Sequence, residues 1–510
     1  MRLGWITAIL WFVGAAALLP AAELVINFRG DPSGGYPDAH PPTRFSATEN
    51  LTWKAEIGQG CGAAIIVGNR LFVQAAPNAL VCLDKATGRE LWRRTHHVGQ
   101  LDPSLPACRL DGAMDHVGQL QGLKQRFRRL AEGTQERTKL EADFERGLAA
   151  LPEKLPALPG AGINTAGRKD GGGYTSLGFY LICMTPCSDG RSVVAVFPTG
   201  IAVAYDLTGR MMWNQVVTPP GIGKRGGPPG ILSTCPVMTA EGIVVVRFGG
   251  LTTGIEAATG KVMWKIASEG RGCHASPVVG VVGGESFVAT DGGDIIRARD
   301  GLVIHKGEGP GGDCSVSPVF ADGVFHWVPL AVRVTPATGP EAPPQAKILW
   351  SLRAEVMEDL GKQCYGYKYP RPYLSGGIDF TSPVVMDGRV LYYGWFHLNV
   401  FDAATGSVIA QHKLPRSNVK PLSRGVTKNW AYGGMVRAGA YLIVIHDNGL
   451  VKFLPINDTY SPIKACALPD DVYAQPACDG PALYIRSLNA LWRFDQSTSG
   501  DAASKQKADE

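Results

Sequence analysis

Cysteine is the residue whose placement in this 510-residue chain most suggests chemistry. The chain has eleven cysteines, and an odd number leaves at least one thiol unpaired or shared with another chain. Five of them stand one to four residues before a recurring proline, or before the small residue that replaces it: Cys61, Cys183, Cys235, Cys273 and Cys314. If the repeats surround an axis, these thiols gather near one end of it.

Three interpretations of these thiols stay open. Together with His274, thiolates could bind a soft metal such as zinc or copper(I). Neighbouring repeats could be joined by disulfides, which need Cα separations below about 7 Å. Cysteine also serves as a small buried apolar residue, and we favour this interpretation because metal sites usually show tighter local spacing. Cys466 and Cys478 are a separate case, for which a local disulfide is an option.

The cysteines are positioned by a repeat that has two recognisable parts. One part is a (D/E)-x-x-T-G turn that leads into a strand ending at tryptophan, as in residues 83–92, 205–213 and 257–264. The other is an apolar run that opens with proline, followed by a glycine turn and a second apolar run. The proline stands at Pro186, Pro236, Pro277, Pro318, Pro383 and Pro476, and Ala63 and Gly434 replace it in two further units.

Eight such units predict an all-β fold, an eight-bladed β-propeller over residues 50–496. Each unit reads as four short strands joined by tight turns, which form one antiparallel sheet. Pro236, Pro277 and Pro318 are successively 41 residues apart, and one propeller blade takes about 40 to 45. The last unit lacks an outer strand. We therefore expect the strand at residues 51–57 to complete it and close the ring.

The remaining segments flank or interrupt the propeller. Residues 1–22 read as a signal peptide, with an apolar run too short for a membrane span, and an uncleaved anchor is the alternative. Residues 23–49 read as an extended leader without regular structure. Residues 118–151 have helical spacing and predict a helical hairpin insertion, packed on itself or the propeller rather than serving as a docking arm. Residues 353–377 form a loop insertion, and residues 497–510 a disordered tail.

In a propeller the first strand of each blade lines the central channel. The five cysteines then lie at one channel mouth, which makes this mouth the candidate binding site. The polar and aromatic residues expected beside them are His274, Asp313, Asp379 and Trp430. A site for a small ligand or a cation is one interpretation. Capping of strand ends and hydration of the channel is the more common one, because such mouths are generally wet.

The repeat resembles the quinoprotein-type β-propeller repeat, named for pyrroloquinoline quinone (PQQ), over residues 50–496. The resemblance implies that the tryptophan of the fourth strand stacks on the turn of the next blade. The residues to which this applies are Trp92, Trp213, Trp264, Trp350 and Trp492. His305 and Ala410 replace the tryptophan, so those two junctions should be looser. Quinoprotein dehydrogenases need calcium ligands and a catalytic Asp, and none can be matched here residue by residue.

We therefore expect a non-enzymatic binding or scaffolding module, exported to the periplasm or beyond, at the cell envelope. A PQQ-dependent dehydrogenase is the alternative, and a metal-binding protein with a cysteine-lined mouth is a further one. No cofactor is expected, except PQQ with calcium under the dehydrogenase alternative. The expected partner is an envelope protein or a small ligand, and the propeller is expected to be monomeric. The net charge of +5 is too diffuse for nucleic acid, and no transmembrane span is expected after signal cleavage.

Overall fold

The structure is a computed structural model. It describes residues 25–75, 79–95, 135–149, 184–197, 200–217, 234–248, 250–267, 275–307, 316–327, 330–339, 342–352, 381–394, 397–414, 434–457, 459–463 and 465–496, with a few single residues between 119 and 134. The first strands are β1 (Gly35–Tyr36) and β2 (Leu51–Glu56). Blade one contains β3 (Ile65–Val67), β4 (Arg70–Ala75), β5 (Ala79–Asp84) and β6 (Glu90–Thr95). A helix follows, α1 (Gln135–Ala149).

The next three blades repeat the order of blade one. Blade two contains β7 (Cys187–Ser188), β8 (Ser192–Phe197), β9 (Ile201–Asp206) and β10 (Met211–Val216). Blade three contains β11 (Val237–Met238), β12 (Ile243–Phe248), β13 (Leu251–Glu256) and β14 (Val262–Ala267). Blade four contains β15 (Val278–Val282), β16 (Glu285–Ala289), β17 (Ile295–Arg297) and β18 (Val303–His305).

The last four blades complete the ring. Blade five contains β19 (Val319–Ala321), β20 (Val324–Trp327), β21 (Leu330–Thr335) and β22 (Gln345–Ser351). Blade six contains β23 (Val384–Met386), β24 (Arg389–Gly394), β25 (His397–Asp402) and β26 (Val408–Lys413). Blade seven contains β27 (Met435–Ala438), β28 (Tyr441–Ile445), β29 (Leu450–Pro455) and β30 (Cys466–Ala467). Blade eight contains β31 (Ala477–Asp479), β32 (Ala482–Arg486) and β33 (Ala490–Phe494), and takes β2 as its fourth strand.

This topology confirms the predicted propeller and its closure. Strand β2 pairs antiparallel with β33, from Leu51 opposite Phe494 to Glu56 opposite Ala490, so the ring is closed by its N-terminal strand. Eight clusters of buried apolar side chains fill the gaps, one between each pair of neighbouring blades. Closure removes sheet edges that would otherwise pair with other chains.

The insertion between blades one and two is only partly described. Of the predicted helical hairpin, the described residues contain one complete helix, α1. Its Leu140 and Phe144 are buried, and the ring of Phe144 lies 5.6 Å from that of Phe127 at an interplanar angle of 66°. These contacts are those expected of an insertion packed on itself. No helix among the described residues is both long and apolar enough to cross a bilayer. The insertion at 353–377 and the tail at 497–510 lie outside the described residues.

A bulge in the fourth strand aims its aromatic residue at the next blade. In blade three the pairing shifts between Val262 and Trp264, which leaves Met263 unpaired and exposed while Trp264 is buried. Bulges of this kind re-aim a side chain. The Trp264 indole donates a hydrogen bond of 2.7 Å to the carbonyl of Ala298 in blade four. The equivalent donors are Trp92, Trp213 and Trp350, to the carbonyls of Leu207, Ala257 and Ala403.

Glycine at the turn of the next blade makes room for each of these indoles. A Cβ on Gly260 would lie 2.6 Å from the Trp213 ring, and φ there is +76°. At the junction where His305 replaces tryptophan, a Cβ on Gly339 would meet nothing within 4 Å. The (D/E)-x-x-T-G string is therefore half of a glycine–tryptophan contact between blades.

Trp492 does not occupy the position that the sequence suggested. It lies on the third strand of blade eight, faces blade seven and donates to the hydroxyl of Ser487. Trp53 stands at the equivalent position instead, because β2 is the fourth strand of this blade. Its indole donates to the Lys85 carbonyl in blade one, and a Cβ on Gly88 would lie 2.6 Å from its ring.

Candidate functional site

The structure describes only two residues of the predicted mouth cluster. Cys61 and Cys235 are buried cysteines that form no disulfide. The others lie outside the described residues: Cys183, Cys273, His274, Asp313, Cys314, Asp379 and Trp430. The cluster as a whole therefore stays a prediction. Within the described ranges, no three Cys, His, Asp or Glu side chains are grouped so that they could hold a metal ion. Cys466 and Cys478 do not form the disulfide that the sequence offered as an option.

A chain of hydrogen bonds links the entries of the first strands in six consecutive blades. The amide of each entry residue donates to the side chain at the same position in the next blade. The donor–acceptor pairs are Ala63 to Thr185, Thr185 to Cys235, Cys235 to Ser276, Ser276 to Ser317 and Ser317 to Ser382, with lengths of 2.8 to 3.1 Å. We call this end of the channel the ring mouth.

This chain of hydrogen bonds, called below the hydrogen-bonded ring, assigns Cys235 the role of an acceptor and corrects the alignment of blade one. The Sγ of Cys235 accepts where the other blades offer a hydroxyl, and burial raises the pKa of this thiol, which keeps it protonated. Because Ala63 donates from the position of Thr185, Ala64 rather than Ala63 stands at the proline position. Cys61 is then three residues before that position, the same offset as Cys183.

Polar side chains also project at the ends of the second strands, which run antiparallel to the first strands and so finish at the ring mouth. In blades three and four they form an ion pair between Arg247 and Asp291, whose side chains are 0% and 2% exposed. In blade one, Gln74 donates 2.9 Å to the carbonyl of Val196 in blade two. Burying two charges among apolar side chains costs free energy unless the geometry of the pair is fixed. Their presence at the ring mouth therefore makes this mouth the candidate binding site.

Arg486 occupies the corresponding position in blade eight. It is 1% exposed, and its Nη2 donates a 2.6 Å hydrogen bond to the carbonyl of Gly58. Burial lowers the pKa of this guanidinium to about 10, so it is still charged at neutral pH. The equivalent positions in blades six and seven are occupied by Tyr393 and His446, whose rings lie 6.0 Å apart. Sequence reasoning missed these residues, because each is a single polar residue in an apolar strand.

The opposite mouth is occupied by the N-terminal leader, which is ordered rather than irregular. Residues 25–40 run from blade to blade along the far ends of the first strands, and we call this end the leader mouth. Ile26 forms a bridge with Ser188 of blade two, and the Asn27 side chain bonds the backbone of Met238 in blade three. Further bonds join Phe320 to Pro32, Val385 to Ser33, Arg437 to Gly34 and Gly480 to His40, in blades five to eight.

A compact turn holds the middle of the leader in place. The Asp31 carboxylate accepts hydrogen bonds from the amide and hydroxyl of Ser33 and from the amide of Gly35. Strand β1 then pairs in parallel with β27, Gly35 opposite Arg437. A Cβ on Gly35 would lie 2.5 Å from the Arg437 carbonyl oxygen, so only glycine lets the two backbones approach this closely.

Arg29 ties the leader to the interior of the channel. Its Nη2 donates to the carbonyls of Ser382, Pro383 and Met435, at 3.2, 2.7 and 2.8 Å. Burial lowers the pKa of this guanidinium to about 10. Between the leader and the first strands remains a cavity of about 930 Å³, lined largely by aliphatic residues such as Val237, Val278 and Val319.

The comparisons with known proteins agree with the repeat. The family model described as outer membrane protein assembly factor BamB matches residues 43–107 and 198–322, less than half of the chain. Together with the eight-bladed fold, this match supports the quinoprotein-like type of the repeat. No curated protein matches it.

Solved structures similar to this quinoprotein-like propeller have low identity to it. BamB from Moraxella catarrhalis is 13% identical, with 60% of this chain and 82% of that chain covered and a TM-score of 0.41. Quinohemoprotein alcohol dehydrogenase ADHIIG from Pseudomonas putida HK5 is 11% identical, with 93% and 81% covered and a TM-score of 0.49. The computationally designed Ika8 protein is 9% identical, with 87% and 99% covered and a TM-score of 0.46.

Proposed function

We propose that this protein is an exported, non-enzymatic propeller that binds or scaffolds a partner at the cell envelope, through its ring mouth. The observation that carries the proposal is the occupancy of the leader mouth. There the chain's own leader bonds to six of the eight blades, from Ile26 to His40. The ring mouth instead contains buried charged side chains that come from separate blades, Arg247 with Asp291 and Arg486. Charged groups fixed at one mouth favour specific recognition there.

Two further points support an envelope role. The first residues have the sequence pattern of an export signal. The matched family model is described as an outer membrane protein assembly factor, and we transfer from it only the expectation of a protein partner in the envelope. Cys183, Cys273, His274, Asp313, Cys314, Asp379 and Trp430 remain proposed members of the ring mouth.

Site-specific photo-crosslinking in the native envelope tests this proposal. A photoreactive residue is placed at Thr95 or Ala267, both exposed where fourth strands end at the ring mouth, and in matched variants at Pro32 or Asp38, exposed at the leader mouth. The proposal predicts a discrete adduct from the ring-mouth positions and little from the leader-mouth positions. Adducts confined to Pro32 and Asp38 would show that the partner binds at the leader mouth, and this result would contradict the proposal.

The dehydrogenase alternative has a separate test. A quinone site requires a calcium ion; among the described residues no three Cys, His, Asp or Glu side chains are grouped, and the buried Asp291 is engaged by Arg247. We derive no catalytic step through such a cofactor. Reconstitution with calcium and PQQ, followed by dye-linked alcohol oxidation, would reveal the activity. Metal analysis of the same protein, purified without chelator, tests whether the cysteine-lined mouth holds a metal ion.

A further inference from the structure

Arg486 is a buried cation whose donors exceed the acceptors around it. Its Nη2 is bonded to the Gly58 carbonyl, but its Nε and Nη1 have no hydrogen-bond partner among the described residues. None of the described carboxylates forms an ion pair with it, since Asp470 and Glu56 act on its pKa only at longer range. Transferring a guanidinium from water into the protein interior costs free energy unless its N–H groups find hydrogen-bond acceptors there.

The neighbouring loop is built to hold this guanidinium in one position. Residues 58–62 cross from β2 to blade one, and a Cβ on Gly60 would lie 2.5 Å from Nη2 of Arg486. A Cβ on Gly62 would lie 1.9 Å from the Met184 carbonyl oxygen. Gly60 therefore lets the loop pass directly beside the arginine, and Gly62 lets it pass against the backbone of blade two. Cys61, between them, is 6% exposed and lies within electrostatic range of the same guanidinium.

A cation fixed at a mouth, with donors left over, matches the requirements of an oxyanion. Arginine presents planar, directional donors to carboxylates and phosphates, and its weaker hydration makes it suited to buried recognition. The other buried arginine at this mouth, Arg247, is already engaged by Asp291. Arg29 differs again, because three carbonyls accept from its Nη2 and only its Nε lacks a partner among the described residues. Arg486 is thus the arginine of the three that combines two unbonded donors with the lack of a described ion-pair partner.

We propose that Arg486 and the loop at residues 58–62 form an oxyanion subsite of the ring mouth, which takes a carboxylate or phosphate group of the ligand. This inference rests on the proposed function, because it names the chemistry that the ring mouth recognises. The group can belong to a free anion or to an acidic side chain of a protein partner, and the experiment separates the two sources.

Calorimetric titration and thermal melting of the full chain test the subsite. Inorganic phosphate, citrate and an acidic peptide are titrated at constant ionic strength into the wild type, Arg486→Met and the control Arg191→Met, which removes an exposed arginine. We expect binding of at least one probe by the wild type and the control, and a loss of about tenfold or more in Arg486→Met, as one charged hydrogen-bonding group is worth at least that factor. Equal binding by all three proteins, or by none, would overturn the inference.

Two safeguards keep the test decisive. If Arg486→Met does not fold, as shown by near-ultraviolet circular dichroism, Arg486→Lys keeps the charge, loses the planar donors and should still weaken binding. A response to phosphate or citrate identifies a free anion, and a response to the peptide alone identifies a protein group. If Arg486→Met loses anion binding but the ring-mouth positions of the wild type give no crosslink, the subsite is supported and the proposed function is contradicted. If the ring-mouth positions do crosslink but Arg486→Met binds anions as well as the wild type, the proposed function is supported and the subsite is contradicted.

Discussion

At the leader mouth, consecutive residues of one segment supply the hydrogen bonds, whereas at the ring mouth each polar group comes from a different blade. In the leader, the Asp31 carboxylate accepts hydrogen bonds from its own turn, and Arg29 donates to three carbonyls of the blades. The ring mouth depends on partners across blade boundaries, as with Arg247 and Asp291, and it leaves donors of Arg486 unused. The leader mouth is therefore held mainly by bonds within one segment and to the blades beside it, and the ring mouth is the end at which we propose that a ligand binds.

The largest effect is expected at the ring mouth, on breaking its ion pair. Asp291→Asn should lower the free energy of unfolding by about 3 to 5 kcal/mol, because it leaves the charge of Arg247 uncompensated in a buried place. Chemical denaturation measures the change. The double variant Arg247→Met/Asp291→Leu is the control, and it should be less destabilised than the single one. A single variant as stable as the wild type would show that the pair is not buried in solution.

The next largest effect tests the leader mouth. Arg29→Met should cost about 3 kcal/mol, since three buried carbonyls lose a charged donor while the cost of burying that charge is relieved. Arg44→Met, at a largely exposed leader residue, should change stability by less than about 0.5 kcal/mol. If both variants behave alike in urea denaturation, Arg29 does not anchor the leader.

A third prediction concerns the glycine–tryptophan contacts, which lie toward the leader mouth because the turns follow the third strands. Gly260→Ala should destabilise the protein by about 1 to 3 kcal/mol more than Gly242→Ala. Both glycines have φ near +75°, but only at Gly260 would the new Cβ collide with Trp213. Thermal melting compares the two variants. Equal losses would mean that the indole moves aside and does not hold the blades together.

The smallest effect is expected from one member of the hydrogen-bonded ring. Ser317→Ala removes the acceptor of the Ser276 amide and should cost about 1 kcal/mol. Ser407→Ala, in an exposed turn, serves as the control and should be nearly neutral. A loss of several kcal/mol would indicate that the ring acts as one cooperative unit, and no loss would indicate that water replaces the hydroxyl.

The fold was predictable from the sequence because repetition reveals it. The glycine turns and the missing outer strand of the last unit were sufficient to place β2 in blade eight. Trp492 was misplaced because W-R-F resembles the end of a unit, although it belongs to the third strand. Trp53 could have been found by following the same argument one step further, since it stands third in the strand that closes the ring.

The two mouths were less predictable, for physical reasons. The leader is rich in glycine and proline, which locally indicates irregular structure, and its order comes from bonds to residues distant in sequence, as between Arg29 and Met435, which are 406 positions apart. The polar residues of the ring mouth each stand alone in an apolar strand. Their signal is a shared position: Gln74, Arg247 and Arg486 all stand near the ends of second strands, which becomes visible only when the register is known.

Hydrogen–deuterium exchange of the full-length protein, read by mass spectrometry, tests the central claim most directly. If the leader closes one mouth, peptides from residues 25–39 should exchange much more slowly than an unfolded segment, because the amides of Ile26, Asp31 and Ala39 donate to the carbonyls of Ser188, Gly35 and Tyr36. Exchange of these peptides within seconds, while the blades stay protected, would show that the leader mouth is open and would contradict the account.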